Sequence, residues 1–283
     1  MSAPEIKQDF SSRPFLWQPL AFIGCMLVEL GPAALLGFKL FRRDIKLEVR
    51  GTLLGLLWLI VPPLVYTGLF VILQQAEVIR ADTGSVPYPL FVLAGTIFWQ
   101  VFADSLGGPM REIQKNQAFI QTVNFAREAL LFSGLFHVML GFTVRLVLFA
   151  GLLLYYGLPL QPALHWLLLS VFMLAACGMV LAIIFLPLQQ LSRDFQKAFL
   201  FVPLVLIYFV PVLYNQPDSG ILMQLMQYNP LTPLIENCRS SLFSGIVIDT
   251  TSTVLSAAII FAALLPTLVF YRISSLRVLE KTG

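Results

Sequence analysis

Residue types that do chemistry are sparse in this sequence, and only one of them stands somewhere costly. Arg145 lies within the apolar run Ala129–Tyr156. A charge at that depth is expensive, so it faces either a bundle interior or a water-filled path. Two roles follow, contact with an anionic group passing through the membrane or pairing with a neighbouring helix or subunit. The two histidines, His137 and His165, are 28 positions apart and at different expected depths, which argues against a shared metal ion. Cys25, Cys177 and Cys238 show neither paired nor metal-ligand spacing and read as small buried or interfacial hydrophobes. No Gly-x4-Gly-Lys-Ser/Thr or Gly-x-Gly-x-x-Gly loop is present, so any nucleotide would be bound by another chain. Asp82, Asp218 and Asp249 are scattered, and no Ser/His/Asp set occurs.

Aromatic residues are the abundant resource, with 24 Phe, 8 Tyr and 4 Trp. Trp58 and Tyr66 fall on one expected helix; Phe91, Phe98, Trp99 and Phe102 fall on the next. Phe91 with Phe98, and Phe98 with Phe102, share a helical face. Sugar C–H groups stack on aromatic faces, so these six residues and Arg145 are the candidates for lining a conduit. The plainer reading of membrane aromatics is packing, lipid contact or interfacial anchoring.

The elements that must position these residues are transmembrane helices. Hydrophobic residues make up 58% of the chain and charged residues 12%, with mean hydropathy +0.84. Soluble domains carry about 25% charged residues, so the solvent here is lipid. Six segments can each supply about 20 apolar residues: near Gly51–Leu73, Leu90–Gly108, Ala129–Tyr156, Leu164–Leu188, Ala198–Tyr214 and Ser252–Tyr271. Backbone groups in lipid must pair internally, so each is read as a helix and the fold class as all-α and polytopic. Pro62, Pro63, Pro203, Pro211 and Pro266 are expected to kink or break these helices. Fifteen of the 18 Lys and Arg residues fall on one side when both termini are cytoplasmic. That bias predicts an N-in, C-in topology.

The sequence is expected to divide into a cytoplasmic N-terminus and interface helix (1–50), a six-helix transmembrane domain (51–272) and a cytoplasmic tail (273–283). Phe15–Phe38 tempts a seventh span, but Glu29 and Gly31–Pro32 interrupt it. It reads instead as an apolar lead-in to an amphipathic helix near Ala33–Val49. There Lys39, Arg42, Arg43, Lys46 and Arg50 supply basic heads for an anionic leaflet surface, with Asp44 among them on the interface helix. Met110–Glu128 is a polar loop that forms a short helix with an apolar knob for a partner. Asn215–Thr251 is too apolar for a solvated loop, and Pro230 and Pro233 divide it into two short surface or re-entrant helices.

RRDIKLEVRGTLLGLLWLIVPPL (Arg42–Leu64) resembles the entry to the first span of ABC exporter permeases that secrete polysaccharides, through Arg43, Asp44 and Lys46, then Leu54, Gly55 and Trp58, then Pro62. Asn116–Glu128 (NQAFIQTVNFARE) is similar to that family's first cytoplasmic loop, with Ala126 in place of its commoner proline. Asn229–Glu236 followed by Arg239 is similar to its Asn-Pro element before the last span. The resemblance covers nearly all of the chain beyond residue 33. It implies a half-transporter, in which two copies of this chain sit on two copies of a separate ATPase that binds ATP and Mg. It implies a coupling helix with Asn116, Phe119, Ile120, Phe125, Arg127 and Glu128, and an outer gate with Asn229, Pro230, Pro233, Glu236 and Arg239. The cargo it implies is a lipid-linked glycan of the O-antigen, teichoic acid or capsule type, crossing a bacterial inner membrane. No cofactor of this chain's own, no catalysis and no nucleic-acid partner are expected. A membrane enzyme acting on lipid-linked sugars and an ion-coupled carrier are the competing classes. The first would need clustered acidic or His residues at the membrane surface. The second would need paired halves or several charges near the bilayer centre.

Overall fold

The computed structural model describes residues 19–51, 55–77, 86–122, 125–158, 163–216, 219–245 and 249–282. Arg80, Asp82, Asp218 and the stretch before Pro19 fall outside them. Every regular element among the described residues is helical. In order these are α1 (Pro19–Gly51), a 3-10 turn (Gly55–Leu59), α2 (Val61–Gln75), α3 (Tyr88–Lys115), α4 (Gln117–Thr122) and α5 (Glu128–Tyr156). Then follow α6 (Leu164–Leu191), α7 (Arg193–Leu206) with a 3-10 turn (Ile207–Phe209), α8 (Ile221–Tyr228), α9 (Leu231–Phe243) and α10 (Thr250–Thr282).

The chain is a multi-pass membrane protein, and among the described residues six helices are long and apolar enough to cross a bilayer. α3 and α6 are its buried centre, packed on each other, with α5 against α3 and α10 against α6. Gly178 makes the α3–α6 contact possible: a Cβ there would lie 2.5 Å from the Phe102 carbonyl oxygen and 2.8 Å from Ser105 Cβ. The outer helices bury only a minor face, and Leu64, Leu69, Val147 and Phe261 look outward. Such exposure is tolerable in lipid, where apolar surface meets apolar solvent.

Two expected elements come out differently. The lead-in and the amphipathic helix are one continuous α1, running from Pro19 to Gly51 through Pro32. The fifth expected span, Ala198–Tyr214, is not one long helix, because α7 ends at Leu206 after 14 residues. At 1.5 Å per residue that is about 21 Å, short of a ~30 Å hydrocarbon core. Length alone therefore counts α1 among the six long helices and passes over α7.

Contacts assign the crossings. Gln196, near the start of α7, accepts a hydrogen bond from Gln114 at the end of α3. Leu213, just past the 3-10 turn, accepts one from the Tyr88 hydroxyl at the opposite end of α3 (3.0 Å). The segment from α7 through Leu213 thus runs from one end of the bundle to the other. α1 instead touches only one end among its described polar contacts, through Lys115 and Asn116 of α3 and Arg272 of α10. That end also carries Arg111, Arg127 and Lys197 and is called the basic end below.

Candidate functional site

The intramembrane charge has a partner. Arg145 is 2% exposed. Its Nη1 lies 2.8 Å from Asp104 Oδ2 on α3, and its Nε donates to the Leu59 carbonyl oxygen at 2.9 Å. Sequence explains the second bond. In an uninterrupted helix Leu59 would be bonded by the N–H of residue 63, but Pro63 has none. The orphaned carbonyl at the break before α2 takes an arginine donor instead. Asp104 was the residue not singled out from sequence, although a lone carboxylate inside an apolar segment is the same signal that marked Arg145.

Beside this pair opens a groove of about 190 Å³ between α2, α3 and α7. Tyr66, Trp99, Gln100, Asp104 and Arg111 contribute its polar and aromatic wall. Arg111 donates to the Asp104 backbone oxygen at 2.8 Å, and Arg145 neutralises the Asp104 carboxylate. A planar amide, an indole, a phenol and a guanidinium with no ion pair among the described residues form a surface that can hold hydroxyl-rich or anionic groups. Of the expected conduit residues, Tyr66 and Trp99 line this groove, and Trp58 is 58% exposed on the 3-10 turn. Phe91, Phe98 and Phe102 are buried inside the chain, and Trp99, although it borders the groove, is only 2% exposed. Phe98 packs on Phe142, Phe102 on Trp99, and Phe91 lies beneath Arg239.

At the basic end the segment 116–128 is folded and tethered. The Phe119 and Phe125 rings pack 5.0 Å apart, which brings a residue of the short helix α4 against one beyond its end. Asn116 is buried; its amide donates to the Glu112 carbonyl, and its Oδ1 accepts from Arg43. Ile120 N donates to the Asn116 carbonyl (2.9 Å), continuing the chain into α4. At the other flank the Arg127 carbonyl accepts from the Tyr271 hydroxyl (3.2 Å), while Glu128 lies 3.5 Å from Arg272. Burial lowers the Arg127 pKa, the Tyr271 phenol partly opposing the shift. On α1, Lys39, Arg42 and Lys46 are exposed, whereas Asp44 is fully buried between Arg43 and Lys115.

His137 is brought to two carboxylates that its sequence position did not suggest. Ligand atoms of Asp44, Glu112 and His137 lie within 4.8 Å of one another, a donor set suited to a divalent cation. Charge opposes that use. Arg43 and Lys115 both sit on Asp44, and His137 Nδ1 is engaged by the Ser133 carbonyl at 2.9 Å and Glu112 at 3.4 Å. The cluster is thus an ion-pair junction of α1, α3 and α5.

The opposite end closes around Arg239. Its guanidinium sits 3.6 Å from the Phe91 ring centroid and donates to the Pro211 and Val212 carbonyls (2.8 and 2.9 Å). Asn229 stitches α8 to α9, donating to the Phe209 carbonyl and accepting from Leu231 N. Pro230 separates the two short helices as expected, and Pro233 falls in the first turn of α9. Burial raises the Glu236 carboxyl above its usual range, with Arg239 pulling the other way. At the start of α10, Asp249 accepts from Ser252 N and caps the helix.

Together these features define a polytopic α-helical membrane protein with a polar groove inside, a tethered surface segment at its basic end and a sealed opposite end. Relatives give the class its particular form. The chain is 25% identical over 213 residues to the O-antigen export system permease protein RfbA of Klebsiella pneumoniae, covering 72% of this chain and 79% of that one. It is also 25% identical over 211 residues to the protein of the same name from Myxococcus xanthus, covering 71% and 78%. No family model matches the chain. These relatives, named as permeases of O-antigen export systems, agree with the resemblance to polysaccharide exporter permeases found in the sequence.

Proposed function

We propose that this chain is the transmembrane permease subunit of an ABC exporter that moves a lipid-linked polysaccharide, O-antigen-like, across a bacterial inner membrane. The observation that carries the reading is similarity to O-antigen export permeases over nearly three quarters of the chain. The basic end faces the cytoplasm, where positively charged segments are retained. A separate ATPase binds ATP and Mg there and seats on the segment 116–128. Phe119 and Phe125 form the apolar knob, and Lys39, Arg42 and Lys46 meet the anionic lipid surface beside it.

Two permease copies face each other and two ATPase copies lie beneath. The groove wall of Tyr66, Trp99, Gln100 and Arg111 lines the path, joined by Trp58 from its exposed position. Aromatic faces grip successive sugars weakly and without reading sequence, which suits a long polymer. Asn229 and Arg239 keep the exit turn and the two short helices packed at the outer end. ATP drives transport only through a difference in its affinity for the two permease-bound states, so the segment 116–128 must report the ATPase's state to the spans.

The test is purification of the tagged chain from its native host in mild detergent. An ATPase subunit at roughly equal stoichiometry is the expected partner, and Phe119→Asp should lose it while the chain stays folded, because a desolvated carboxylate in an apolar socket costs several kcal/mol. Full retention of the ATPase by Phe119→Asp would remove the segment from the interface.

A further inference from the structure

The tethers at the basic end form a pattern that the coupling role alone does not require. The segment 116–128 has two flanks, and α1 is joined to both. At one flank Arg43 of α1 donates to Asn116, and Lys115 lies 2.7 Å from Glu48 and 3.3 Å from Asp44. At the other, Glu29 of α1 pairs with Arg272, and Arg272 lies 3.5 Å from Glu128. Glu29 and Asp44 are 15 residues apart on one continuous helix, about 22 Å. α1 therefore spans the interval between the flanks as a strut. Midway, Gly37 seats it in backbone contact with α5, since a Cβ there would stand 2.6 Å from the Ala129 carbonyl oxygen and 2.7 Å from Phe132 Cβ.

We propose that Arg272 and Glu29 are positioning residues that make α1 and the segment 116–128 one rigid unit, so that a force on the segment moves α1 and α10 with it. The inference rests on the coupling reading of that segment and goes beyond it by naming what receives the motion. Arg272 is the joint: it is the side chain that meets α1, through Glu29, and the start of α5, through Glu128, from α10. Its guanidinium is 8% exposed and its partners sit on separate elements, so the pairing holds only while all three stay in register. Without it the ATPase would still find its socket on Phe119 and Phe125, but the strut would slip at one end.

The experiment uses the permease with its ATPase in the native host and reads three quantities: co-purified ATPase per permease, ATP hydrolysis rate, and glycan at the cell surface. Glu29→Gln and Arg272→Gln should keep ATPase ratio and hydrolysis within about twofold while surface glycan falls roughly tenfold, a loss typical of broken coupling between sites. Arg272→Lys, which retains a charge for Glu29 and Glu128, should recover export to within about threefold of wild type. Surface glycan within about twofold of wild type in both Gln variants overturns the proposal. So does loss of the ATPase from folded Glu29→Gln, which would make the network part of the docking surface rather than a transmission element. Retention of the ATPase by Phe119→Asp would instead sink the coupling reading itself, so the two failures are told apart.

Discussion

Replacing Arg145 with Ala tests the account of the membrane interior most sharply. The variant removes a guanidinium whose side chain is 3% exposed and leaves Asp104, 22% exposed, without its counter-ion. Deleting one partner of a buried pair typically costs about 3–5 kcal/mol. Asp104 opens on the groove and can draw water, so roughly 2–3 kcal/mol is the fitting share here. The Leu59 carbonyl also loses its donor, and no N–H from Pro63 can replace it, which adds about 1 kcal/mol. The sum, about 3–4 kcal/mol, corresponds to a fall of roughly 6–16 °C in apparent melting temperature at 2–4 °C per kcal/mol. Thermal challenge of the tagged chain in detergent, read by the size-exclusion peak that survives, measures it. Asp104→Ala and the double variant complete a cycle. The double variant should be less destabilised than the two single losses added together, by about 1.5 kcal/mol or more, because the second deletion removes a charge already left alone. Additivity within about 0.5 kcal/mol would show that Arg145 and Asp104 do not act as a pair. A melting point for Arg145→Ala within about 2 °C of wild type would refute the burial argument as well.

Other sites give independent tests. Gly178→Ala should cut the yield of folded protein and cost about 1–3 kcal/mol, because its methyl would meet the α3 backbone at Phe102; normal yield and melting would mean that α3 and α6 part easily. Arg239→Gln should leave the Pro211 and Val212 carbonyls short of donors and speed hydrogen exchange in residues 210–216, at a cost of about 2–3 kcal/mol; unchanged exchange there would show that the turn holds without it. Tyr66→Ala should lower surface glycan several-fold with the ATPase still bound, since a passing sugar would lose an aromatic face on the groove wall; full export would take Tyr66 off the path.

What was legible in the sequence is what local composition sets. An apolar run of 20 residues in lipid has no choice but helix, so the long helices near Leu90–Gly108, Ala129–Tyr156, Leu164–Leu188 and Ser252–Tyr271 could be placed without a structure. Pro62 and Pro63 mark the start of α2, and Pro230 the division between α8 and α9, because a missing N–H acts wherever it falls. Arg145 announced itself by cost alone. Its partner did not, since Asp104 is 41 residues away and which carboxylate it meets depends on how α3 and α5 pack.

The remaining decisions belong to tertiary structure. Helices apolar on nearly every side carry no period that tells which face is inward, so Phe91, Phe98, Trp99 and Phe102 could not be distinguished from Tyr66 before packing buried all four and left Tyr66 half-buried on the groove that Trp99 only borders. α1 is long and apolar enough to cross a membrane, and α7 is too short by itself. Their opposite roles are set by where each ends: α1 by Glu29 and Asp44 meeting the basic ends of α3, α5 and α10, and α7 by Gln196 at one end of α3 and Leu213 at the other. Length and hydropathy are properties of a segment alone, whereas depth is a relation between segments, fixed only when their charges find partners.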